Sequence, residues 1–229
     1  MWCTCAERRN AAWAMMNAMA LRDYVAWHDE YDQLGSPLYL RLLVVQDLIG
    51  SALDDLPPGQ VRVISMCAGQ GRDLIGVARR HRRGGDLTGL LVEADPRNVT
   101  AAGTAIAQAG LDGLTVEQGD AGRSGSYAGA VPADLVVACG IFGNVSDEDI
   151  RRTITFIPSL CAPGAWVIWT RNPRHDGIVP AIQDWFEEAG FRPHALVVPE
   201  GNLFGVGAAQ LTVPPQPFRP GTELFNFLW

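Results

Sequence analysis

The sequence predicts an α/β protein: a doubly wound, mostly parallel seven-stranded sheet that ends in an antiparallel hairpin and follows an N-terminal helical cap. Three observations predict it. From residue 61 to residue 190, short β-rich runs alternate with helical patterns, the signature of a parallel sheet covered on both faces. The last two β-rich runs, FRPHALVVP and LFGVGAAQLTV, have only the turn signal EGN between them, so they pair antiparallel at the sheet edge. Ahead of the first strand, apolar residues recur at helical rather than strand spacing.

The elements follow in order. Trp13, Met16, Ala20, Tyr24, Trp27 and Tyr31 recur three and four residues apart, one face of an amphipathic helix. LGSPLYLRLL starts a second helix, with Ser36 as N-cap and Pro37 in its first turn. The breaker DLPPGQ separates this cap, residues 1–57, from the sheet domain, residues 58–213. VRVISM (61–66) leads into a helix from about Arg72. LTGLLVEA (87–94) leads into a helix that Gly110 closes, and LTVEQGD (114–120) into the glycine-rich stretch AGRSGSYAGAVP, which has room for a short helix at most. ADLVVACG (133–140) precedes a helix from about Asp147, where Ser146 and Asp149 have the spacing of a capping box. AWVIWT (165–170) precedes a helix over about 180–189, closed by Gly190. Residues 214–229 form a proline-rich, aromatic tail whose Phe225, Phe227 and Trp229 call for burial.

Composition narrows the chemistry. The chain has 229 residues, 48% hydrophobic and 19% charged, enough to build a core without metals or disulfides. All 18 basic residues are arginine, which excludes a lysine Schiff base and a P-loop lysine. A formal charge of -7 disfavours a nucleic-acid partner, and the one dense basic run, RRHRR at 79–83, reads as the solvated end of a helix. The five cysteines lack metal-type spacing in the body of the chain and read as free thiols, so no metal is expected. No apolar run has the length of a membrane span, and AAWAMMNAMA lacks a cleavage site, so the expectation is a cytoplasmic protein without a membrane partner.

The stretch ISMCAGQGRD carries the chemistry. A dinucleotide fingerprint needs G-x-G-x-x-G, but here Gly69-Gln70-Gly71 is followed by Arg72, Asp73 and Leu74. Asp73 in the first helical turn would repel a pyrophosphate and suits a ligand with cationic groups or no phosphate. VRVISMCAGQGRD, LLVEADP, EQGDA, LCAPGAWVIW and the closing FGVGAAQLTV together resemble the class I S-adenosylmethionine (SAM)-dependent methyltransferases over residues 58–213. The resemblance implies the Rossmann-like methyltransferase fold, SAM as cofactor, and a site at the carboxyl ends of the strands. Ser65, Cys67, Ala68, Gly69, Gln70 and Gly71 correspond to the family's glycine motif, with Ser65 where the family has an acid and Cys67 where it has its first glycine. Gly69 and Gly71, which let backbone approach a ligand, are retained.

Successive strand ends meet separate parts of such a ligand. Glu93, 22 residues beyond Gly71, can accept both ribose hydroxyls, with Asp95 as the alternative. Asp120 can accept from the adenine amine and the Ala121 N–H can serve a ring nitrogen, unless Asp120 only caps a short helix. Cys139 and Ile141 lie on the loop after the fourth strand. That loop, CGIFGN, lacks the Pro-Pro-aromatic element that the resemblance associates with nucleobase or amide nitrogens, which favours a small-molecule substrate. Tyr24, His28 and Tyr31 share one helical face over the pocket, making His28 the candidate base beside Tyr31, against a structural role in packing. Arg171, with Asn172 and His175, follows the fifth strand, where it can pair with an anionic substrate or stay solvated. The resulting expectation is a methyltransferase acting on a small molecule, with a homodimer as an open partner state. The alternatives are an NAD(P)-dependent oxidoreductase and a catalytically silent SAM-binding regulatory subunit.

Overall fold

A computed structural model describes residues 29–172, 177–201 and 203–228. The first helical run lies outside the described residues except at its end, where Asp29–Asp32 makes a 3-10 turn. Helix α1 (Pro37–Asp55) begins as its sequence requires: Ser36 Oγ accepts the Tyr39 N–H at 3.0 Å, and Pro37 occupies a position whose missing N–H is not needed.

The sheet comprises β1 (Val61–Met66), β2 (Leu87–Glu93), β3 (Leu114–Gln118), β4 (Ala133–Ala138), β5 (Cys161–Arg171), β6 (Phe191–Val197) and β7 (Gly205–Leu211). Their order is β3-β2-β1-β4-β5-β7-β6; the first five run parallel, and β7 pairs antiparallel with both β5 and β6. Of the two hairpin strands, only β6 is at the edge. β7 threads between β5 and β6, and its small residues suit that place: a Cβ on Gly207 would meet the Trp169 ring at 2.2 Å.

Helices α2 (Arg72–Ala78) and α3 (Pro96–Ala109) join α1 on one face, over Val61, Val63, Leu91, Leu135 and Val137. Helices α4 (Asp147–Phe156) and α5 (Val179–Glu188) cover the other, over Ile64, Met66, Val92, Val136 and Ala138. The alternation of one strand's residues between the two clusters is the period-two geometry of a strand buried on both faces. α3 ends at Gly110, left-handed at φ 65°. The glycine-rich stretch after β3 holds one 3-10 turn, Ser124–Tyr127. Among the described residues no helix is long and apolar enough to cross a membrane.

Three expectations need correction. The run 79–83 is a solvated helix end only in part: Arg79, Arg80 and Arg82 are exposed, but Arg83 is not. Arg83 is buried, and its guanidinium donates to the carbonyls of Leu53, Leu56, Pro57 and Gly59 at 2.5–2.9 Å while Nε pairs with Asp86 at 3.0 Å. Arg80 reaches Gln46, and Arg82 reaches Asp54. The run therefore fastens α2 to the C-terminal end of α1, whose last carbonyls have no partners within the helix. The capping box at α4 is also one-sided. Ser146 Oγ accepts the Asp149 N–H at 3.1 Å, but the Asp149 carboxylate turns to Arg152 and to the Asn226 N–H. Aspartate is one methylene too short to close the reciprocal bond that glutamate makes.

The third concerns the tail, where the expected burial holds for Phe225 but not for Phe227. Leu224 N–H donates to Gly122 O and Ser124 N–H to Thr222 O, tying the tail to the turn after β3. Leu228 N–H donates to Asn144 O, tying it to the loop after β4. Leu224 and Phe225 are buried, Phe227 stays 41% exposed, and Trp229 lies outside the described residues.

Candidate functional site

The strand order reverses between β1 and β4, which splays their following loops apart and opens a crevice at the carboxyl edge of the sheet. The loop from β1 to α2 lines it. Cys67 is the only described non-glycine residue with positive φ, at 51°, and Gly69 and Gly71 follow at 56° and 68°. The backbone thus adopts the left-handed turn that glycine makes easily, and Cys67 accepts it at a steric cost of about 1 kcal/mol. Gly71 has no room for a side chain, since a Cβ would meet Ile75 Cδ1 at 2.7 Å and Leu91 Cδ2 at 2.9 Å.

Glu93 closes this loop against β2. Its Oε2 accepts the Gly69 N–H at 2.7 Å and its Oε1 the Asp95 N–H at 2.9 Å. A carboxylate has about four acceptor positions, so two remain for hydroxyl donors. Asp95, the alternative, is used elsewhere: it caps α3 through the Arg97 N–H and pairs with the Arg97 guanidinium. Asp120 is exposed; its Oδ1 accepts the Gly122 N–H at 2.8 Å and its Oδ2 lies 3.6 Å from Arg123. It shapes its own turn, as a cap would, and keeps acceptor capacity toward solvent. Ala121 is buried, with its carbonyl accepting from Tyr127 Oη. Cys67, Glu93 and Asp120 converge, for burial first and then these two carboxylates push the Cys67 thiol well above its ordinary range. The thiol stays protonated at neutral pH.

Ser65 lies inside β1, not at its mouth, and its buried Oγ has no hydrogen-bond partner. Ala68 N–H donates to Val92 O, and Gln70 Oε1 accepts from Arg72 Nε at 2.9 Å. Across the crevice, Gly140 N–H donates to Thr170 Oγ1 at 2.8 Å, and Asn144 Nδ2 to Gly140 O at 2.6 Å. Cys139 is half-buried and Ile141 fully buried. Arg171 donates from Nη1 to Phe142 O, so one arm of its guanidinium braces this loop. Burial raises the Cys139 thiol, too.

A polar cluster that the sequence only partly foretells sits between the cap and the crevice. Arg41 of α1 donates to Tyr31 Oη at 2.6 Å, and the guanidinium carbons of Arg41 and Arg72 lie 5.9 and 5.7 Å from the Tyr31 ring centroid. Arg72 also makes a bidentate pair with Asp32. Burial raises the Tyr31 phenol, against the pull of Arg41, so it remains a donor rather than a base. Asp73 faces the same cluster. Its Oδ1 accepts the Leu74 N–H at 2.7 Å, and burial lifts its carboxyl above the ordinary 3.8. Arg41 escapes a motif search because its only signal is an interior place on a helix face. His28 and His175 lie outside the described residues. Among the described residues no His, Cys, Asp and Glu side chains group as metal ligands.

Asp73 has a measurable consequence. A carboxyl whose folded pKa exceeds its unfolded one costs stability once the pH rises through that range, and costs nothing below it. Asp73→Asn keeps an acceptor for Leu74 N–H, so the ligand-free variant is expected to melt above the wild type at pH 7. The difference should shrink as the pH falls toward the unfolded value of 3.8; paired melting curves at pH 7 and 4 check it.

The comparisons agree with this fold. Residues 36–183 match the family model described as "Putative methyltransferase". No curated protein matches the chain. An O-methyltransferase family protein from Burkholderia thailandensis is similar at 20% identity and TM-score 0.62, over 82% of this chain and 59% of that one. Magnesium protoporphyrin IX methyltransferase from Synechocystis PCC 6803, solved with bound S-adenosylhomocysteine, is similar at 13% identity and TM-score 0.66, over 82% of this chain and 94% of that one. The CurJ carbon methyltransferase is similar at 16% identity and TM-score 0.63, over 83% and 59% respectively. At these identities the shared property is the fold.

Proposed function

The chain belongs to the methyltransferase family whose model covers residues 36–183 and is a class I SAM-dependent methyltransferase; from that premise we propose that it methylates a small molecule held between the cap and the strand ends. The observation that carries the proposal is the half-buried hydrogen bond from Arg41 of the cap helix to Tyr31 Oη, beside the Arg72 guanidinium at the start of α2. A polar cluster between the cap and the strand ends suits a small acceptor better than a polymer, and the formal charge of -7 works against a polyanion.

In this reading Glu93 would hold the cofactor's ribose through its two remaining acceptor positions, and the backbone of Gly69 and Gly71 would lie against the nucleoside. Cys67, Ala68 and Gln70 would complete the turn around it, with Ser65 behind them in β1. Asp120 and the Ala121 N–H receive the adenine edge, and Cys139 and Ile141 support it from the loop after β4. When bound, SAM supplies an electrophilic methyl group on a sulfonium. The protein's part is to align the acceptor with that group and exclude water, which accounts for most of the acceleration in such displacements. Tyr31 orients the acceptor as a hydrogen-bond donor, Arg171 pairs with an anionic acceptor, and His28 takes the proton where the nucleophile carries one. Structural neighbours named for oxygen and carbon acceptors share this sheet, so choice of acceptor falls to the cap and to the loop after β5.

The test has two stages. Titration of the purified protein should give saturable heat with SAM and S-adenosylhomocysteine and none with NADH; the reverse result discards the proposal. A metabolite extract incubated with enzyme and SAM should then yield a species heavier by one methylene. Tight SAM binding without such a product would favour a regulatory SAM-binding subunit.

A further inference from the structure

The carboxylates around the crevice differ in what neutralises them. Asp32 pairs with Arg72, Asp95 with Arg97, and Asp120 with its own turn and Arg123. Glu93 is held by two backbone N–H groups on the side toward β3. Asp73 stands on the opposite side, in the first turn of α2, next to Arg72. Among the described residues, its only hydrogen-bond donors are backbone N–H groups of its own turn, its own and that of Leu74. Meanwhile the glycine loop offers no acid of its own on β1, where Ser65 leaves a buried hydroxyl without a partner. A half-buried carboxylate in this position gains from a cation delivered by a ligand. The planar fork of Arg41, which shares the Tyr31 ring with Arg72, suits a carboxylate.

Building on the methyltransferase reading of this crevice, we infer that Asp73 and Arg41 bind the amino-acid end of the cofactor, Asp73 taking the α-ammonium and Arg41 the α-carboxylate. The acid that β1 lacks is thus supplied one helical turn later, and the cap helix contributes directly to cofactor affinity. An empty site then carries the cost of a half-buried charge, which the ligand relieves.

Three probes separate the contacts: SAM, decarboxylated SAM, which keeps the ammonium, and 5′-methylthioadenosine, which has neither group. Asp73→Asn should weaken SAM and decarboxylated SAM alike, roughly ten- to hundredfold, and leave 5′-methylthioadenosine within about twofold. Arg41→Met should weaken SAM while sparing the other two. Retained binding of 5′-methylthioadenosine certifies that each variant is folded around the nucleoside. The inference is overturned if Asp73→Asn binds SAM like the wild type, including the case where it binds normally but no longer transfers the methyl group, which would assign Asp73 to the acceptor. Equal losses for SAM and 5′-methylthioadenosine would also overturn it. A wild-type protein that binds none of the three overturns the methyltransferase reading itself.

Discussion

Glu93→Ala is expected to weaken S-adenosylhomocysteine binding by roughly 1.5 to 3 kcal/mol, about ten- to a hundredfold in Kd. Two losses combine. The proposed ribose acceptor disappears, and the Gly69 and Asp95 N–H groups lose the carboxylate that now positions them. Glu93→Gln tells the two apart, because its single amide oxygen can satisfy one backbone donor but cannot replace a charged bidentate acceptor. Calorimetric titration of both variants measures the effect, and a Kd for Glu93→Ala equal to that of the wild type would move the ribose elsewhere.

The second large effect concerns stability. Arg83→Ala should destabilise the fold by about 3 kcal/mol or more, since four carbonyls at the end of α1 and in the following turn lose their donor inside the protein. Lysine should rescue little of it. An ammonium offers three donors from one point, whereas the guanidinium spreads its N–H groups over carbonyls on different sides. Urea unfolding monitored by tryptophan fluorescence gives the difference, and an Arg83→Ala midpoint within experimental scatter of the wild type would refute this account. Cofactor affinity of the folded fraction should be little changed, because Arg83 lies at the opposite end of α2 from the glycine loop.

Much of the fold was legible because its signals are local. The strands announced themselves as β-rich runs between turn residues, Ser36 and Ser146 cap their helices as expected, and Gly110 ends α3 in a left-handed turn. The pairing of the last two strands was also readable from their short connection, but not the insertion of β7 beside β5, which depends on Gly207 fitting under Trp169. Arg83 was misread for a related reason. A run of arginines looks solvated until the partner helix shows its unsatisfied carbonyls, and those lie some thirty positions earlier in the chain. The cluster of Tyr31, Arg41 and Asp73 was half visible. Tyr31 could be placed on a helical face and Asp73 in a first turn, yet their meeting depends on how α1 packs against α2, a tertiary fact with no sequence period of its own.

The tail joins two places that would otherwise move separately, the turn holding Asp120 and Ala121 and the loop holding Cys139 and Ile141. Through Leu224 and Leu228 it acts as a tie-rod across the mouth of the crevice. Slackening that rod, even by changes remote from every polar group discussed above, would loosen both jaws at once, so the last dozen residues help set how firmly the protein grips whatever lies between them.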